Sequence, residues 1–202
     1  MFSIRFFTDF VKNINVYLFL TVLILSGIYE KIDSIMLPSL ETKRLILRPI
    51  SKDDIDSLFE LFNDVETTKY LQGTKTRVQV KEWISLVLDS YLKHQFGPWA
   101  VVSKNSNDFM GYCGLYLQKD VDGADEIEIL YGLIKRFWKK GYAAEAAKKV
   151  YEYGKNDLKI KRFISIIHPE NINSVKAAEK IGMRFEKEAV VWGKQYRIYC
   201  AE

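Results

Sequence analysis

A basic turn followed by small residues is the part of this sequence best suited to bind a ligand. An apolar run ends in Lys139, Lys140, Gly141, Tyr142 and Ala143, and an alanine-rich segment follows. The first N–H groups of a helix have no partner inside the helix, and small residues let a phosphate approach them. Lysines at a helix start oppose the helix dipole, so a bound anion would relieve that conflict. The segment predicts a pyrophosphate site, with an ordinary strand-to-helix connection as the alternative.

Two carboxylates in the preceding apolar run could act as a general base. Glu126 and Glu128 are two residues apart, so on a strand their side chains share one face. Two carboxylates placed together raise the pKa of one of them, which suits a base that removes a proton from an amine. The alternative is that both belong to the solvated face of a strand, beside Asp125.

Composition and charge fit one folded domain and disfavour several classes of protein. The chain has 202 residues, of which 48% are hydrophobic, and a net charge of +4 from 30 basic and 26 acidic residues. This charge falls short of the basicity of a dedicated nucleic-acid binder, so no direct nucleic-acid partner is expected. Cys113 and Cys200 lack CxxC or Cys/His spacing, which predicts a reduced cytoplasmic protein with no metal site.

The N-terminal residues differ from the rest of the chain. Residues 14–29 are mostly apolar, and their length lies between that of a membrane span and that of a signal-peptide core. Met36 stands directly before the segment that begins the predicted domain. We therefore expect residues 1–35 to be an appended extension or a mis-assigned start, with a membrane-associated segment and a cleaved signal peptide as the alternatives. Residues 14–29 are the only possible membrane contact.

Periodicity and turn residues beyond Leu40 predict a mixed α/β fold, with a largely antiparallel sheet flanked by helices. Ser51 and Thr76 can cap two helices, and Asn171 or Asn173 can cap another that Gly182 ends. Strands are expected at residues 98–104, 109–118, 125–134 and 160–167, before a closing hairpin around residue 193. Glycine weakens a strand interior, so the glycine at position 132 predicts a bulge or a close backbone approach, with simple packing as the alternative.

Several segments in sequence order resemble the GNAT superfamily of acetyl-CoA-dependent N-acetyltransferases, and within it the branch that acetylates ribosomal-protein N-termini. They are residues 40–49, 96–102, 111–115, 128–146 and 168–185. The resemblance implies that residues 40–202 form an N-acetyltransferase domain with acetyl-CoA as co-substrate and no metal. The implied acceptor is a primary amine, on a protein or peptide N-terminus or on a small molecule such as a polyamine or amino-sugar.

The resemblance also implies a role for individual residues. Glu128 matches the family's strand glutamate and is the candidate base, and the main chain of Leu133 is expected to contact the thioester. Asn171 resembles a cofactor-binding asparagine, with a helix cap as the alternative. Many members place a tyrosine acid where this chain has Ala178, whereas the branch that this chain resembles best carries a serine that matches Ser174.

Two features qualify these assignments. Ser174 is the candidate acid or hydrogen-bond donor to the thiolate, although a serine near a helix N-terminus can also serve only the helix. Trp138 stands where the commoner family form has arginine or glutamine, which leaves the pyrophosphate to the N–H groups of residues 140–143 and to Lys139 and Lys140.

The function expected from these observations is acetyl transfer to a primary amine by direct attack in a ternary complex. A second hypothesis is a CoA-binding module without catalysis, which requires Glu128 to face away from the thioester. A third is a membrane-tethered interaction protein, which depends on residues 14–29 alone.

Overall fold

An eight-stranded sheet forms the centre of the part of the chain that the computed structural model describes, residues 37–202. The strands lie in the order β1-β2-β3-β4-β5-β6-β8-β7, and every neighbouring pair is antiparallel except β5 and β6. Their bounds are β1 Leu40–Glu41, β2 Leu45–Pro49, β3 Pro98–Ser103, β4 Phe109–Val121, β5 Ala124–Leu133, β6 Phe163–Ile167, β7 Arg184–Val191 and β8 Lys194–Ala201. The predicted mixed α/β fold with a largely antiparallel sheet is confirmed.

Two helices begin at residues whose side chains cap them, and the second of the two is followed by a left-handed glycine. Thr76 and Gln79 form the predicted capping box, and Asn171 accepts a hydrogen bond from the N–H of Ser174. Gly182 follows the last helix in the left-handed conformation, at φ 93°. The α-helices are α1 Ile55–Asn63, α2 Val65–Thr68, α3 Arg77–His94, α4 Tyr142–Asn156 and α5 Ile172–Lys180, and 3-10 turns lie at Lys52–Asp54 and Lys135–Phe137.

Helix α4 lies close to the sheet because the side chains on its inner face are small. Ala146, Ala147 and Val150 are fully buried on that face. At Gly154 an added Cβ would lie 2.6 Å from Phe163 Cε1 and 3.2 Å from Leu115 Cδ1. Larger side chains would therefore push the helix away from β4 and β5, which the helix packs against.

Strands β5 and β6 have one paired position in their ladder, Glu128 opposite Ile164. Beyond this pair the sheet opens, although the Ser165 hydroxyl still donates to the Ile129 carbonyl over 2.7 Å. The opening leaves main-chain groups of β5 available on the side that faces β6. This splay positions the candidate site.

Of the two features predicted at Gly132, the bulge is absent from its pairing with β4, whereas the backbones do approach closely, since an added Cβ on Gly111 would lie 2.1 Å from the Gly132 carbonyl oxygen. β4 and β5 keep an unbroken register from Gly111 opposite Leu133 to Gln118 opposite Glu126. An added Cβ on Gly132 would lie 2.8 Å from Cε1 of the Tyr112 ring. Glycine is therefore needed at this position to accommodate the tyrosine opposite, as the packing alternative supposed.

The predictions for residues 1–35, including the apolar run at 14–29, lie outside the described residues. Within residues 37–202, no helix is long and apolar enough to cross a membrane. Leu37 and Leu40 are already part of the buried core, so the compact unit begins at or near the predicted domain start. The division at residues 35 and 40 stays a prediction.

The close approach at Gly154 predicts that Gly154→Ala destabilises the protein, although alanine favours helix more than glycine does. We expect a loss of about 1–3 kcal/mol in the free energy of unfolding, measured by urea denaturation, because the methyl group overpacks the contact with Phe163. Adding Phe163→Leu to this variant should recover part of the loss. A more stable Gly154→Ala protein would show that the contact is not tight.

Candidate active site

Two cavities meet at the splay between β5 and β6. The loop cavity has a volume of about 480 Å³ and lies between the start of α4 and helix α5. The second cavity, lined by rings such as Trp83, Tyr112 and Tyr196 and called here the aromatic cavity, has a volume of about 450 Å³. Glu128 also lines it. Five residues line both cavities, namely Tyr70, Leu71, Tyr131, Asn171 and Ser174. A molecule in one cavity can therefore approach a molecule in the other at these residues.

The start of α4 presents free main-chain donors to the loop cavity. Gly141 caps the helix in the left-handed conformation at φ 80°, and the first hydrogen bond of the helix runs from the N–H of Glu145 to the Gly141 carbonyl over 3.1 Å. The N–H groups of Tyr142 and Ala143 precede that bond and have no acceptor within the helix. Both residues line the cavity. Free N–H groups at the start of a helix can hold an anion, and the phosphate site at these two residues stays a prediction.

Around Gly141 the protein leaves space for a ligand. An added Cβ there would have only Arg44 Nη2 within 4 Å among the described residues, at 3.6 Å. Lys139 also lines the cavity, in a left-handed conformation at φ 60°, together with Lys176 and Lys180 from α5. These ammonium groups suit a phosphate-bearing ligand. The binding of the CoA pyrophosphate in this cavity stays a prediction.

Lys140 does not line either cavity, unlike the other predicted cofactor residues. Its side chain is exposed, and its carbonyl accepts a hydrogen bond from Arg44 Nη1 over 3.0 Å. The residue contributes to the shape of the loop, and a direct role of its ammonium group in phosphate binding stays a prediction.

Arg44 and Glu145 hold the loop and the start of α4 against the beginning of the domain. Arg44 Nε donates to Glu145 Oε2 over 2.6 Å, and the guanidinium lies 4.2 Å from the centre of the Tyr142 ring. Thr42 donates to Glu145 Oε1 over 2.6 Å. Burial raises the pKa of Glu145, but the hydrogen bonds from Thr42 and Arg44 outweigh it, and the net shift is downward. Glu145 is thus a structural carboxylate, and sequence reasoning missed Arg44.

Leu133 presents its main chain to the splay. The Ile134 N–H donates to Met110 on β4, so by strand alternation the polar groups of Leu133 point away from β4. Accordingly, the Leu133 carbonyl accepts a hydrogen bond from Trp138 Nε1 over 2.5 Å. The N–H of Leu133 faces the same side, where an acyl oxygen could accept from it. Trp138 therefore fixes this part of the backbone, which sequence reasoning did not foresee.

Glu128 is a buried carboxylate in the aromatic cavity. Only 7% of the residue is exposed. Gln118 Nε2 donates to Oε2 over 2.6 Å, and the Ile166 N–H donates to Oε1 over 3.3 Å. Burial raises the pKa of Glu128 to about 7, although both hydrogen bonds lower it. A carboxylate with this pKa can accept a proton near neutral pH and release it afterwards.

Glu126 has a different role from the one considered with Glu128. Arg162 Nε donates to both of its oxygens, over 3.1 and 3.2 Å, and Arg162 also pairs with Glu186. Glu126 does not line the aromatic cavity. The predicted mechanism for the raised pKa of Glu128 is therefore wrong, because burial causes the shift and Glu126 does not contribute to it.

Tyr131 connects β5 to the start of α5 across the splay. Its hydroxyl donates to the Ser174 carbonyl over 2.9 Å. The side chain of Asn171 accepts from the N–H of Ser174 over 3.2 Å, so the capping alternative for Asn171 holds, although the residue also lines both cavities. None of the hydrogen bonds among residues 37–202 uses the Ser174 hydroxyl, which leaves it available where the cavities meet. Ala178 is fully buried and does not contribute to the site.

Comparison with known proteins identifies the family. Residues 44–184 match the family profile described as "Acetyltransferase (GNAT) domain". The chain belongs to the GNAT acetyltransferase family. Its relatives include the Bacillus subtilis (strain 168) protein YkkB, 33% identical over 79% of this chain and 93% of the relative. An N-acetyltransferase of Bacillus licheniformis, p20, is 32% identical over 76% of this chain and 85% of the relative.

Solved structures of GNAT proteins share the fold. An acetyltransferase from Agrobacterium tumefaciens superposes with a TM-score of 0.73 at 21% identity, over 82% of this chain and 94% of the other. The aminoglycoside acetyltransferase AAC(6')-Ib in complex with coenzyme A gives 0.67 at 16% identity, over 78% and 94%. The ribosomal-protein-S5-alanine acetyltransferase from Vibrio fischeri gives 0.64 at 14% identity, over 81% and 96%. Because residues 44–184 match the acetyltransferase family profile, this GNAT protein is an acetyl-CoA-dependent acyltransferase.

The described residues of this GNAT protein do not form a metal site. No group of three or more His, Cys, Asp or Glu side chains within residues 37–202 could hold a metal ion. Cys113 is buried and Cys200 half-buried, and both are free thiols.

The raised pKa of Glu128 predicts how stability depends on pH. The folded protein holds the proton of Glu128 up to about pH 7, whereas an exposed glutamate loses it near 4.5. The folded state therefore binds more protons between these values, and this residue makes the free energy of unfolding fall as pH rises from about 4.5 to 7. Glu128→Gln should remove that fall and stabilise the protein at pH 8 by up to about 3 kcal/mol. Urea denaturation at pH 5 and pH 8 checks this, and equal pH dependence of both proteins would contradict it.

Proposed function

We propose that this protein transfers the acetyl group of acetyl-CoA to a primary amine, on a protein or peptide N-terminus or on a small molecule, by direct attack while both substrates are bound. One observation carries the proposal. A buried carboxylate with a pKa near neutrality, Glu128, lies in a cavity that meets the loop cavity, the proposed site of the pyrophosphate, at the β5–β6 splay. Acetyl-CoA supplies a thioester carbonyl that is open to attack by an amine.

The loop cavity positions the co-substrate. The N–H groups of Tyr142 and Ala143, the space at Gly141 and the ammonium group of Lys139 suit the pyrophosphate. In this arrangement the thioester end reaches the splay, where the N–H of Leu133 can donate to the acyl oxygen. Removing such a donor from an enzyme typically costs about 3–4 kcal/mol of transition-state stabilisation.

Glu128 and Ser174 move the protons. An amine is a nucleophile only when neutral, so Glu128 accepts its proton directly or through a water. Ser174 lines both cavities, and its hydroxyl can donate to the departing sulfur. Asn171 fixes the first turn of α5 and thereby the position of Ser174.

The two other hypotheses have less support. A CoA-binding module without catalysis would need no carboxylate near the thioester. Glu128, however, lines the aromatic cavity, which meets the loop cavity proposed for CoA. A membrane-tethered interaction protein depends on residues 14–29, which lie outside the described residues. The free thiols of Cys113 and Cys200 suit a reducing compartment, and we propose a cytoplasmic location.

Substitution of the base tests the chemical step. Glu128→Gln keeps the size and polarity of the side chain but cannot accept the proton, so kcat should fall by about 10²–10⁴-fold. The parent's kcat should rise with pH through about 7, as Glu128 loses its proton, and the variant should lack this rise. The measurement is steady-state release of CoA from acetyl-CoA with an amine acceptor. A variant with the parent's rate and pH profile would exclude Glu128 as the base.

Substitution at the phosphate loop tests the co-substrate site separately. Gly141→Trp should abolish acetyl-CoA binding in calorimetry, because the indole fills the space before α4 and the left-handed backbone disfavours a large residue. Gly123→Trp is a matched control, since that glycine is also left-handed, has open space around it and lines neither cavity. Circular dichroism establishes that both variants fold. Unchanged binding by a folded Gly141→Trp protein would contradict the proposed site.

A further inference from the structure

The aromatic cavity has aromatic rings from the elements on both sides of β5. On the β4 side, Phe62, Trp83 and Tyr112 pack together with ring centroids 5.1 to 5.6 Å apart. All three line the cavity. They come from α1, α3 and β4 and form one apolar wall.

The second wall comes from the residue that follows β6, the β7–β8 hairpin and the segment after α2. The ring of His168 lies 5.2 Å from that of Tyr70 and 6.1 Å from that of Tyr196, and Trp192 lies 5.6 Å from Tyr196. These four residues also line the cavity. Glu128 lines the same cavity from β5, which lies between β4 on one side and β6 and the hairpin on the other. A flat apolar group bound between the rings could therefore bring its amine to the carboxylate.

Charge in this cavity is sparse. Among the described lining residues, Glu128 is the one carboxylate and Lys75 is the one lysine or arginine. A single buried carboxylate can compensate a single ammonium group. A polyamine or an aminoglycoside would bring further ammonium groups into the cavity, where they would lose water without a carboxylate partner and would meet Lys75.

Trp192 occupies a position in the fold that does not suit tryptophan. It is the first of the two residues that join β7 to β8, and Trp192 and Gly193 have φ values of 51° and 75°. Such a two-residue turn with both residues at positive φ favours Asn-Gly, and a bulky side chain there is strained. The residue is also 51% exposed. Neither the turn nor solvent favours this indole, whereas its position at the aromatic cavity gives it apolar surface to cover.

We propose that the acceptor is a monoamine whose amino group is carried on a flat apolar body, and that Trp192 is a specificity-determining residue that packs on this body. The inference rests on the proposed function and narrows its acceptor. It favours an aromatic monoamine over polyamines and amino-sugars. Leu71 and Leu86, both exposed and both lining the cavity, extend the apolar surface beside Trp192.

Acetylation of three probe amines by the full-length protein tests the acceptor class. We expect kcat/KM for 2-phenylethylamine to exceed that for ethylamine by roughly tenfold or more, because burial of the ring adds apolar contact. Spermidine should be acetylated less efficiently than 2-phenylethylamine. Equal or better use of spermidine would overturn the inference and leave the proposed function intact.

Trp192→Asn separates a role in binding from a role in folding. Asparagine suits the turn, so the free energy of unfolding should stay equal or increase, whereas KM for 2-phenylethylamine should rise roughly threefold to tenfold through the loss of an aromatic contact. The rise for ethylamine should be smaller, because it has no ring to lie against Trp192. Val190→Asn changes a residue of the same hairpin that is 65% exposed and lines neither cavity, and it should leave KM unchanged.

The other possible results distinguish a failure of the inferred acceptor class from a failure of the proposed acetyltransferase function. An unchanged KM for 2-phenylethylamine in Trp192→Asn would overturn the role of Trp192. If the parent acetylates none of the three amines, calorimetry of 2-phenylethylamine with the CoA-saturated protein decides the inference, and no binding would overturn it. Failure of the parent to bind acetyl-CoA would instead contradict the proposed function itself.

Discussion

The site depends on the limited pairing between β5 and β6. The two strands pair only at Glu128 and Ile164, and their divergence beyond that pair leaves the main chain of β5 open on one side. A continuous sheet would use those N–H and C=O groups in its ladder and would close the space between the two cavities. Parallel pairing here follows from the connection through α4, which returns the chain to the same edge. The topology thus sets both the exposure of the backbone and the place where a thioester and an amine could meet.

Burial raises the pKa of Glu128, at the opening between β5 and β6, to a value at which the carboxylate can accept a proton near neutral pH. Transfer of a charge from water into a protein interior is unfavourable, so Glu128 holds its proton more tightly than an exposed glutamate would. The hydrogen bonds from Gln118 and from the main chain of Ile166 partly offset that effect and orient the two oxygens. The same burial that suits the residue to accept a proton also costs folding stability at neutral pH. Activity and stability therefore make opposite demands on this position.

Features set by neighbouring residues could be predicted from the sequence, whereas features set by strand register could not. The capping box at Thr76, the cap at Asn171 and the left-handed Gly182 each depend on residues a few positions apart, and all three were foreseen. The helix that begins after Gly141 could likewise be predicted from the glycine and the alanine-rich segment beside it. By contrast, the fit of Gly132 to the Tyr112 ring depends on which residues face each other across β4 and β5, and the pairing of Glu126 with Arg162 spans 36 positions. The roles of Glu128 and Ser174 stay predictions, although the structure places both on the cavities.

The bond between Arg44 and Glu145 joins two parts of the chain that are 101 positions apart. Arg44 directly precedes β2, near one edge of the sheet, yet its guanidinium touches the loop and the first residue of α4. The start of the domain therefore helps to hold the loop before α4 in the shape that the structure shows. A nascent chain that had emerged from the ribosome only as far as α4 could already make this contact, while α5 and the closing hairpin were still unmade. During synthesis, the loop would thus be in place before the rest of the cavity wall forms around it.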